Sequence, residues 1–343
     1  MKISFDGRVL RHKAFSGVEN YTKYILIALQ KKTSVKLLEP VSSNKYIQQL
    51  WEHFRLPSLV SKDETLFCPA NISPIFLPKK VKLVLTLHDV AFKTFPSSFS
   101  KLFCWYYSFL IPRNIQRANV IITISEASKK EIVQFYPEAK GKIVVISLGV
   151  TEKYRILPEV KKEKSILYVG SVNERKNLIG VIEAFEKLPE HLGYSLVIIG
   201  NYFGNFILSD KLEDTLTRAK KNSGISFKQN LDDEALLYEY NVASCLVFPS
   251  FYEGFGLPPL EAMACGTPVI TSNLSSMPEV CGDAALYVNP YNIKDIKEKI
   301  LKLIEDVDLQ DELIKKGLER AKKFTWEKAA DKHLEVFKKA LGK

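Results

Sequence analysis

One segment of the sequence, residues 248–270 (FPSFYEGFGLPPLEAMACGTPVI), contains the residue types that bind a phosphate group. An apolar run that predicts a strand is followed by Gly254 and Gly256, and then by two prolines, which are typical of a first helical turn. Backbone N–H groups at the start of a helix bind anions, because they have no acceptors within the helix and the helix dipole is positive there. The segment has neither the lysine of a P-loop nor the G-x-G-x-x-G of a dinucleotide site. It therefore predicts a phosphate site of another kind, on a loop that leads into a helix ended by Gly266.

Two carboxylates, Glu253 and Glu261, stand on either side of this loop with seven residues between them. A carboxylate beside a phosphate repels it unless the carboxylate is directed elsewhere, and sugar hydroxyls are suitable donors for it to bind. A chance pair of surface glutamates is the alternative interpretation. The glycines, prolines and aromatic residues packed around the two positions favour a functional pair. The pattern thus predicts a ligand that carries both a phosphate and a sugar.

Apolar, β-branched runs recur along the chain and predict the strands that position these loops. Four runs fall in the first half and five in the second, at residues 2–5, 82–87, 119–124, 142–147, 165–170, 195–200, 225–227, 245–250 and 267–271. Continuous apolar character is typical of parallel strands that are covered on both faces. Between them, segments such as 177–188 and 232–243 have helical periodicity and begin with an Asn or Asp cap. The order predicts two successive doubly wound α/β domains, which bind ligands at the carboxyl ends of their strands.

The spacing of Glu253 and Glu261 resembles the E-x7-E signature of the family 4 retaining glycosyltransferases, which have the GT-B fold. Three further segments resemble the same family: residues 86–92 (TLHDVAF), 123–132 (TISEASKKEI) and 168–185 (YVGSVNERKNLIGVIEAF). The likeness extends through most of the chain. It implies two Rossmann-like domains that face each other across a cleft.

The domain boundaries follow from the resemblance together with a polar, charged segment at residues 148–165, which is interrupted by Pro158 and reads as a linker. We expect an N-terminal acceptor-binding domain at 1–155 and a nucleotide-sugar donor-binding domain at 156–323. Residues 324–343 predict an amphipathic helix, and the family implies that this helix crosses back to pack on the first domain.

The resemblance also assigns roles within the second domain. Glu253 is expected to hydrogen-bond the donor sugar near its 3-hydroxyl, and Glu261 to hold the ribose hydroxyls of the nucleotide. Arg175 and Lys176 match the family's basic pair that neutralises the leaving diphosphate. Fixed cations are most effective there, because the diphosphate gains charge at the transition state. The alternative for this pair is a solvated helix start capped by Asn177. The other expected donor-binding residues of this domain are Gly170, Gly254, Phe255, Gly256 and Leu257.

Two residues of the first domain complete the expected site. His88 follows the predicted strand at 82–87, and in the family the corresponding histidine lies beside the sugar and supports the reaction centre. Gly17 lies within residues 15–20 (FSGVEN), where family members have a glycine loop that approaches the donor phosphate. The Gly-Arg that often follows in the family is replaced here by Glu19 and Asn20.

No metal or other cofactor is expected. The single D-x-D sequence, Asp306 to Asp308, lies in a charged helical stretch and reads as a solvated helix boundary. Two basic groups at the diphosphate make a divalent ion unnecessary. The five cysteines are widely spaced and show no C-x-x-C pair, which is typical of isolated reduced thiols. No residue is identified as a covalent nucleophile, so the expected mechanism is a front-face displacement in which the leaving phosphate helps to deprotonate the acceptor hydroxyl.

The charge of the chain is concentrated in its first half. Residues 1–160 contain 24 Lys and Arg against 12 Asp and Glu, whereas residues 161–343 contain 25 against 27. An anionic partner for the first domain is one interpretation, and a lysine-rich surface that maintains solubility is the other. Residues 93–114 mix aromatic and basic residues, as in a helix at a membrane interface or in a core helix. No apolar run reaches the roughly 18 residues that span a bilayer, and the charged N-terminus is unlike a signal peptide. We expect a cytoplasmic protein with peripheral contact to an anionic membrane.

The sequence therefore predicts a retaining, metal-independent glycosyltransferase that moves a hexose to a saccharide or lipid-linked acceptor. Mannose from GDP-mannose is the first choice for the donor, because the sequence most resembles mannosyltransferases of the family. A UDP-sugar donor carrying glucose or N-acetylglucosamine is the alternative. A nucleotide-sugar 2-epimerase shares the fold but not the E-x7-E arrangement. A non-enzymatic module for an anionic ligand would have no use for Glu253, and no RRM-type or helix-turn-helix signature indicates nucleic acid.

Overall fold

A computed structural model describes residues 2–12, 17–200 and 209–342 of the 343-residue chain. The chain forms two compact units. The first unit contains residues 1–90, 102–149 and 324–343, and the second contains residues 91–101 and 150–323. The division after residue 149 lies inside the predicted linker. Residues 91–101, which the sequence assigned to the first domain, group with the second unit, where the ring of Phe95 lies 5.6 Å from the ring of Tyr252.

Within its described residues, the first unit contains one sheet of six parallel strands in the order β2-β1-β3-β4-β5-β6. The central strands are buried on both faces, as expected of a parallel sheet covered by helices. The strands are β1 Ile3–Asp6, β2 Val35–Leu38, β3 Thr65–Cys68, β4 Lys82–Thr86, β5 Val120–Thr123 and β6 Ile143–Val145. The helices that begin before the second sheet are α1 Gly17–Gln30, α2 Lys45–Leu50, α3 Leu56–Leu59, α4 Ala91–Thr94, α5 Lys101–Arg117 and α6 Glu126–Phe135, with a π-helical turn at Trp51–Arg55.

In the part of the second unit that the structure describes, six parallel strands form a sheet in the order β12-β11-β10-β7-β8-β9. They are β7 Ser165–Val169, β8 Ser195–Ile199, β9 Ile225–Lys228, β10 Cys245–Phe248, β11 Val269–Ser272 and β12 Ala285–Val288. The helices are α7 Leu178–Phe185, α8 Asp210–Ala219, α9 Asp233–Val242, α10 Leu257–Ala264, α11 Met277–Cys281, α12 Ile293–Glu305 and α13 Val307–Ala321. The prediction of two α/β domains with parallel sheets is confirmed. The predicted number of strands was wrong, because β2, β3 and β12 were not recognised.

The last helix, α14 Trp326–Ala340, follows the second unit in sequence but belongs to the first unit. The buried ring of His333 lies with Nε2 2.8 Å from the hydroxyl of Tyr21, on α1, and with Nδ1 2.7 Å from the carbonyl of Ala329. Phe337 packs edge-on against Phe67 of β3, with ring centroids 5.2 Å apart. The C-terminal helix therefore supplies part of the core of the first unit.

The buried imidazole of His333 gives a prediction about stability and pH. Burial lowers the pKa of His333 to about 4, below its ordinary value of about 6.5. The folded state thus holds the ring neutral, and the stability this provides is present above pH 6.5 and is lost as the pH falls from about 6.5 to 4. The loss amounts to about 3 kcal/mol in the free energy of unfolding. Urea unfolding of His333→Gln at pH 7.5, 5.5 and 4.5 is expected to show a shallower loss than the wild type.

The control for this measurement is His191→Gln, which changes an exposed histidine of the second unit. It is expected to keep the wild-type pH dependence. An unchanged pH dependence in His333→Gln would contradict the assignment to His333.

Candidate active site

The loop between β10 and α10 has the strand–loop–helix arrangement that the sequence predicted. β10 ends at Phe248, and α10 begins at Leu257 with prolines in its first turn. Gly256 has a φ of 93°, and a Cβ at this position would lie 2.2 Å from the methyl carbon of Met277. Only glycine fits both the backbone conformation and the space. Gly266, just beyond α10, has a φ of 66°, which fits its predicted role at the end of the helix.

Two serines that follow β11 hold the backbone of this loop. The Ser276 hydroxyl lies 2.9 Å from the carbonyl oxygens of both Glu253 and Phe255. The Ser275 hydroxyl donates to the carbonyl of Glu253 over 2.6 Å. The sequence analysis did not identify either serine. Together these hydrogen bonds fix the backbone of the loop at Glu253.

Glu253 makes a buried ion cluster with the predicted basic pair. The Nζ of Lys176 lies 2.6 Å from Oε1 of Glu253, and a guanidinium nitrogen of Arg175 lies 3.4 Å from Oε2. That guanidinium nitrogen of Arg175 also donates to the carbonyl of Tyr252 over 2.7 Å. The three side chains are only 7 to 13% exposed. Burial works to raise the pKa of Glu253, but the cations of Lys176 and Arg175 outweigh it, so the pKa lies below its ordinary value.

Asn177 explains why the basic pair lies at this loop. Its side-chain amide donates to the carbonyls of Pro249, after β10, and of Pro290, after β12. Asn177 also caps α7, as the alternative interpretation proposed. The other half of that alternative, a solvated helix start, is wrong, because Arg175 and Lys176 are largely buried. The cap therefore joins the loop after β7 to the loops after β10 and β12.

Gly170 directly follows β7, beside the same cluster. A Cβ at Gly170 would lie 3.7 Å from Cδ of Lys176. At the end of the neighbouring strand β8, a Cβ at Gly200 would lie 2.0 Å from the carbonyl oxygen of Gly170. The close approach of these two strand ends requires a residue without a side chain at Gly200.

Glu261, on α10, is held by a tyrosine that the sequence analysis did not identify. The hydroxyl of Tyr240 donates to Oε2 of Glu261 over 2.8 Å. Burial raises the pKa of Glu261, and the hydrogen bond from Tyr240 opposes this shift. Tyr240 is completely buried, and its ring packs edge-on against that of Tyr154, with centroids 5.6 Å apart. The carboxylate of Glu261 therefore has a fixed partner.

The two candidate residues of the first unit lie on separate elements. His88 is buried after β4, where its Nε2 donates to the carbonyl of Pro69 over 2.8 Å. Because a carbonyl can only accept, Nε2 carries the proton and Nδ1 keeps a lone pair. Burial lowers the pKa of His88, so the ring is neutral at pH 7. Gly17 is exposed at the first position of α1, and Phe15 and Ser16 of the predicted glycine loop lie outside the described residues.

The D-x-D sequence lies at a helix boundary. Asp306 caps α13 by accepting a hydrogen bond from the backbone of Leu309 over 2.9 Å, which confirms the helix boundary expected from the sequence. Across residues 2–12, 17–200 and 209–342, no group of three or more His, Cys, Asp or Glu side chains is arranged to hold a metal ion.

Helix α5 has one buried face and one exposed aromatic face. Leu110, Ile111 and Ile115 are buried, which fits the core-helix interpretation. On the other face, Leu102 and Trp105 are 68% and 65% exposed, and Phe109 is 42% exposed. Leu102, Trp105 and Phe109 are together called the α5 stripe. Among the described residues, no helix is long and apolar enough to cross a membrane.

The parallel sheets and the loop before α10 define a GT-B glycosyltransferase fold. The sucrose-phosphate synthase of Thermosynechococcus elongatus superposes with a TM-score of 0.77 at 17% identity, over 100% of this chain and 99% of that one. Because the sequence identity is low, this structural similarity shows the fold alone. Family models match two regions: Glycosyl transferases group 1 at residues 149–320 and Glycosyltransferase Family 4 at residues 43–154.

Relatives of known name support the same assignment. O-antigen chain mannosyltransferase B of Escherichia coli is 33% identical over 77% of this chain and 72% of its own length. Serotype-specific mannosyltransferase WbdA of Escherichia coli is 31% identical over 66% of this chain, but the match spans only 29% of WbdA. The chain belongs to the group 1 glycosyltransferases of family 4, as the resemblance implied, and is a glycosyltransferase.

Proposed function

We propose that this glycosyltransferase is a retaining, metal-independent enzyme that transfers mannose from GDP-mannose to a saccharide or lipid-linked acceptor. The observation that carries the proposal is the buried cluster of Arg175, Lys176 and Glu253 beside the start of α10. Two cations and a helix N-terminus suit a diphosphate, and a carboxylate next to them suits sugar hydroxyls. The choice of mannose is supported by the relatives that are named mannosyltransferases.

In this proposal each residue acts on a different part of the donor. Arg175, Lys176 and the backbone of residues 255–257 bind the diphosphate, Glu253 binds the hexose, and Glu261 binds the ribose. The bond between the anomeric carbon and the phosphate oxygen breaks while the acceptor oxygen bonds to the same face of that carbon. The acceptor proton passes to the departing phosphate oxygen. In the family the corresponding histidine lies beside the sugar, and the neutral ring of His88 has a lone pair on Nδ1 that could accept from a hydroxyl.

The charge at the cluster supports the proposed metal independence. A divalent ion in a transferase neutralises the diphosphate as it leaves. Here Lys176 and Arg175 carry two positive charges at a site where burial limits screening by water. Transfer is therefore expected to continue in EDTA.

Turnover of a panel of nucleotide sugars tests the proposed donor. Hydrolysis of GDP-mannose, UDP-glucose and UDP-N-acetylglucosamine is measured by the GDP or UDP released, and the fastest release is expected from GDP-mannose. Faster release of UDP would favour the UDP-sugar alternative, and inversion at sugar C2 would identify an epimerase. Release from none of the three, with no binding of GDP or UDP, would leave the anionic-ligand module.

We also propose that the enzyme works in the cytoplasm as a peripheral protein on an anionic membrane. The α5 stripe supports this, because aromatic side chains suit the interface between water and lipid. A second exposed apolar surface lies nearby: His53, at the π-helical turn, is within 2.8 Å of the hydroxyl of Tyr106 on α5. Next to His53, a pocket of about 360 Å³ lies against the exposed rings of Phe54 and Phe76. Residues 45–59, 72–82 and 101–117 together carry eight Lys and Arg and one acidic residue, Glu52, which is buried against Arg8.

Sedimentation with vesicles tests this membrane proposal. Binding is expected to rise when phosphatidylglycerol is added to phosphatidylcholine and to fall with salt, because exposed charges are screened beyond about 8–10 Å. Trp105→Ala is expected to weaken binding by about tenfold, since one aromatic side chain leaves the interface. The control, Tyr238→Ala, removes an exposed aromatic ring of the second unit and is expected to bind like the wild type. Equal sedimentation with neutral and anionic vesicles would support the solubility interpretation instead.

A further inference from the structure

We propose that Glu253 favours release of the nucleoside diphosphate product, because its carboxylate competes with the diphosphate for Lys176 and Arg175. This inference rests on the proposed function, since it requires a nucleoside diphosphate sugar at this site. It gives Glu253 a second role besides binding the sugar. The carboxylate then distinguishes the donor, which still carries its hexose, from the product, which has lost it.

The geometry of the cluster places the competing anions on the same cations. Lys176 lies 2.6 Å from one oxygen of Glu253, and Arg175 lies 3.4 Å from the other. A diphosphate bound to the same two residues brings its negative charge next to this carboxylate. Because the side chains are largely buried, water and salt screen the repulsion between the two anions only weakly. The low pKa of Glu253 keeps it ionised at neutral pH.

The loop holds the backbone that carries this carboxylate. The hydroxyls of Ser275 and Ser276 both contact the carbonyl of Glu253, and Gly256, three residues further along the loop, packs against Met277. The backbone of Glu253 is therefore fixed, so its carboxylate remains within reach of the two cations. During the reaction, the ligand loses the hydroxyl groups that donate to this carboxylate.

The hexose provides these hydroxyl groups in the donor complex and is absent from the product complex. Sugar hydroxyls donate to the carboxylate in the donor complex, and hydrogen bonds to an ionised group are among the strong ones. After transfer, the hexose leaves with the acceptor. The carboxylate then faces the diphosphate without the sugar hydroxyls and competes with it for Lys176 and Arg175. The product is thus held less tightly than the donor.

Calorimetric titration of Glu253→Gln with GDP, and separately with UDP, tests the inference. Glutamine keeps the shape and removes the charge, so the variant is expected to bind the nucleoside diphosphate preferred by the wild type about tenfold or more tightly, or about 1.4 kcal/mol. In the Lys176→Met background the same substitution is expected to have a smaller effect, because one of the contested cations is gone. A purely structural role of Glu253 would not produce this dependence on Lys176.

Glu239→Gln provides the matched control. Glu239 is a buried carboxylate of the same unit that pairs with Lys228 over 2.5 Å, and its substitution makes the same change of charge. It is expected to leave GDP and UDP binding unchanged. Should Glu253→Gln fail to fold, Glu253→Asp withdraws the carboxylate and is expected to tighten binding in the same direction by a smaller factor.

Equal or weaker binding of the nucleoside diphosphate by the folded Glu253 variants would overturn the inference and leave the proposed function intact. A wild-type protein that binds neither GDP nor UDP would contradict the proposed function, and the inference with it.

Discussion

Replacing Lys176 with alanine is expected to lower kcat/KM for glycosyl transfer by about 10²–10³, the scale of losing one electrostatic partner of a transition state. The departing diphosphate gains negative charge as its bond to the sugar breaks, and a buried ammonium group stabilises that charge most at this moment. Replacing Arg175 with alanine is expected to have an effect of the same size. The main loss should fall on kcat, because the charge develops during the chemical step.

Steady-state kinetics with the donor identified from the panel measures these losses. Lys228→Ala is the matched control, since it removes a lysine that pairs with a buried glutamate elsewhere in the second unit. Near-normal turnover in both Arg175→Ala and Lys176→Ala would remove the basic pair from the active site.

The loop of the candidate site could be predicted from the sequence because its conformation depends on neighbouring residues. Gly256 needs a positive φ, and two prolines mark the first turn of α10, so strand, loop and helix are readable within 23 consecutive residues. Asn177 was likewise recognisable as a cap from its position before an apolar helical segment. This part of the prediction therefore rested on local conformational preferences.

Contacts between distant parts of the chain could not be predicted in the same way. Ser275 and Ser276 lie 21 to 23 residues after the loop carbonyls that they contact, and Tyr240 lies 21 residues before Glu261. Serine and tyrosine at these positions have no distinguishing pattern, because their partners are set by how α9, α10 and β11 pack. The ion cluster of Glu253 with residues 175 and 176 also joins positions nearly 80 residues apart.

The three strands that the sequence analysis missed have sequences that weaken the apolar, β-branched signal of a strand. β2, β3 and β12 have four residues each, and β2 and β12 lie at the edges of their sheets. The apolar run of β2 (VKLL) is interrupted by Lys36, and β12 (ALYV) is apolar but contains only one β-branched residue. β3 is fully buried, but its sequence TLFC contains one β-branched residue and directly follows a charged segment.

Replacing Glu261 with alanine is expected to weaken binding of donor and nucleoside diphosphate alike, by roughly 10–150-fold. The proposed partner of Glu261 is the ribose, which is present in both ligands, and a hydrogen bond to a charged group contributes about 1.5–3 kcal/mol. Tyr240→Phe removes the hydroxyl that donates to Glu261 and is expected to cause a smaller loss, because the carboxylate remains but is no longer held.

Calorimetric titration with GDP and UDP separates the two glutamates by the sign of their effects. Glu261→Ala should bind the nucleoside diphosphate more weakly than the wild type, whereas Glu253→Gln should bind it more tightly, since one carboxylate attracts the nucleotide through its ribose and the other repels its diphosphate. Glu239→Gln again serves as the control for removing a buried carboxylate. If Glu261→Ala keeps its affinity and Glu253→Gln loses it, the two assignments are reversed. If neither substitution changes nucleotide binding or transfer, the glutamate pair does not form the donor site.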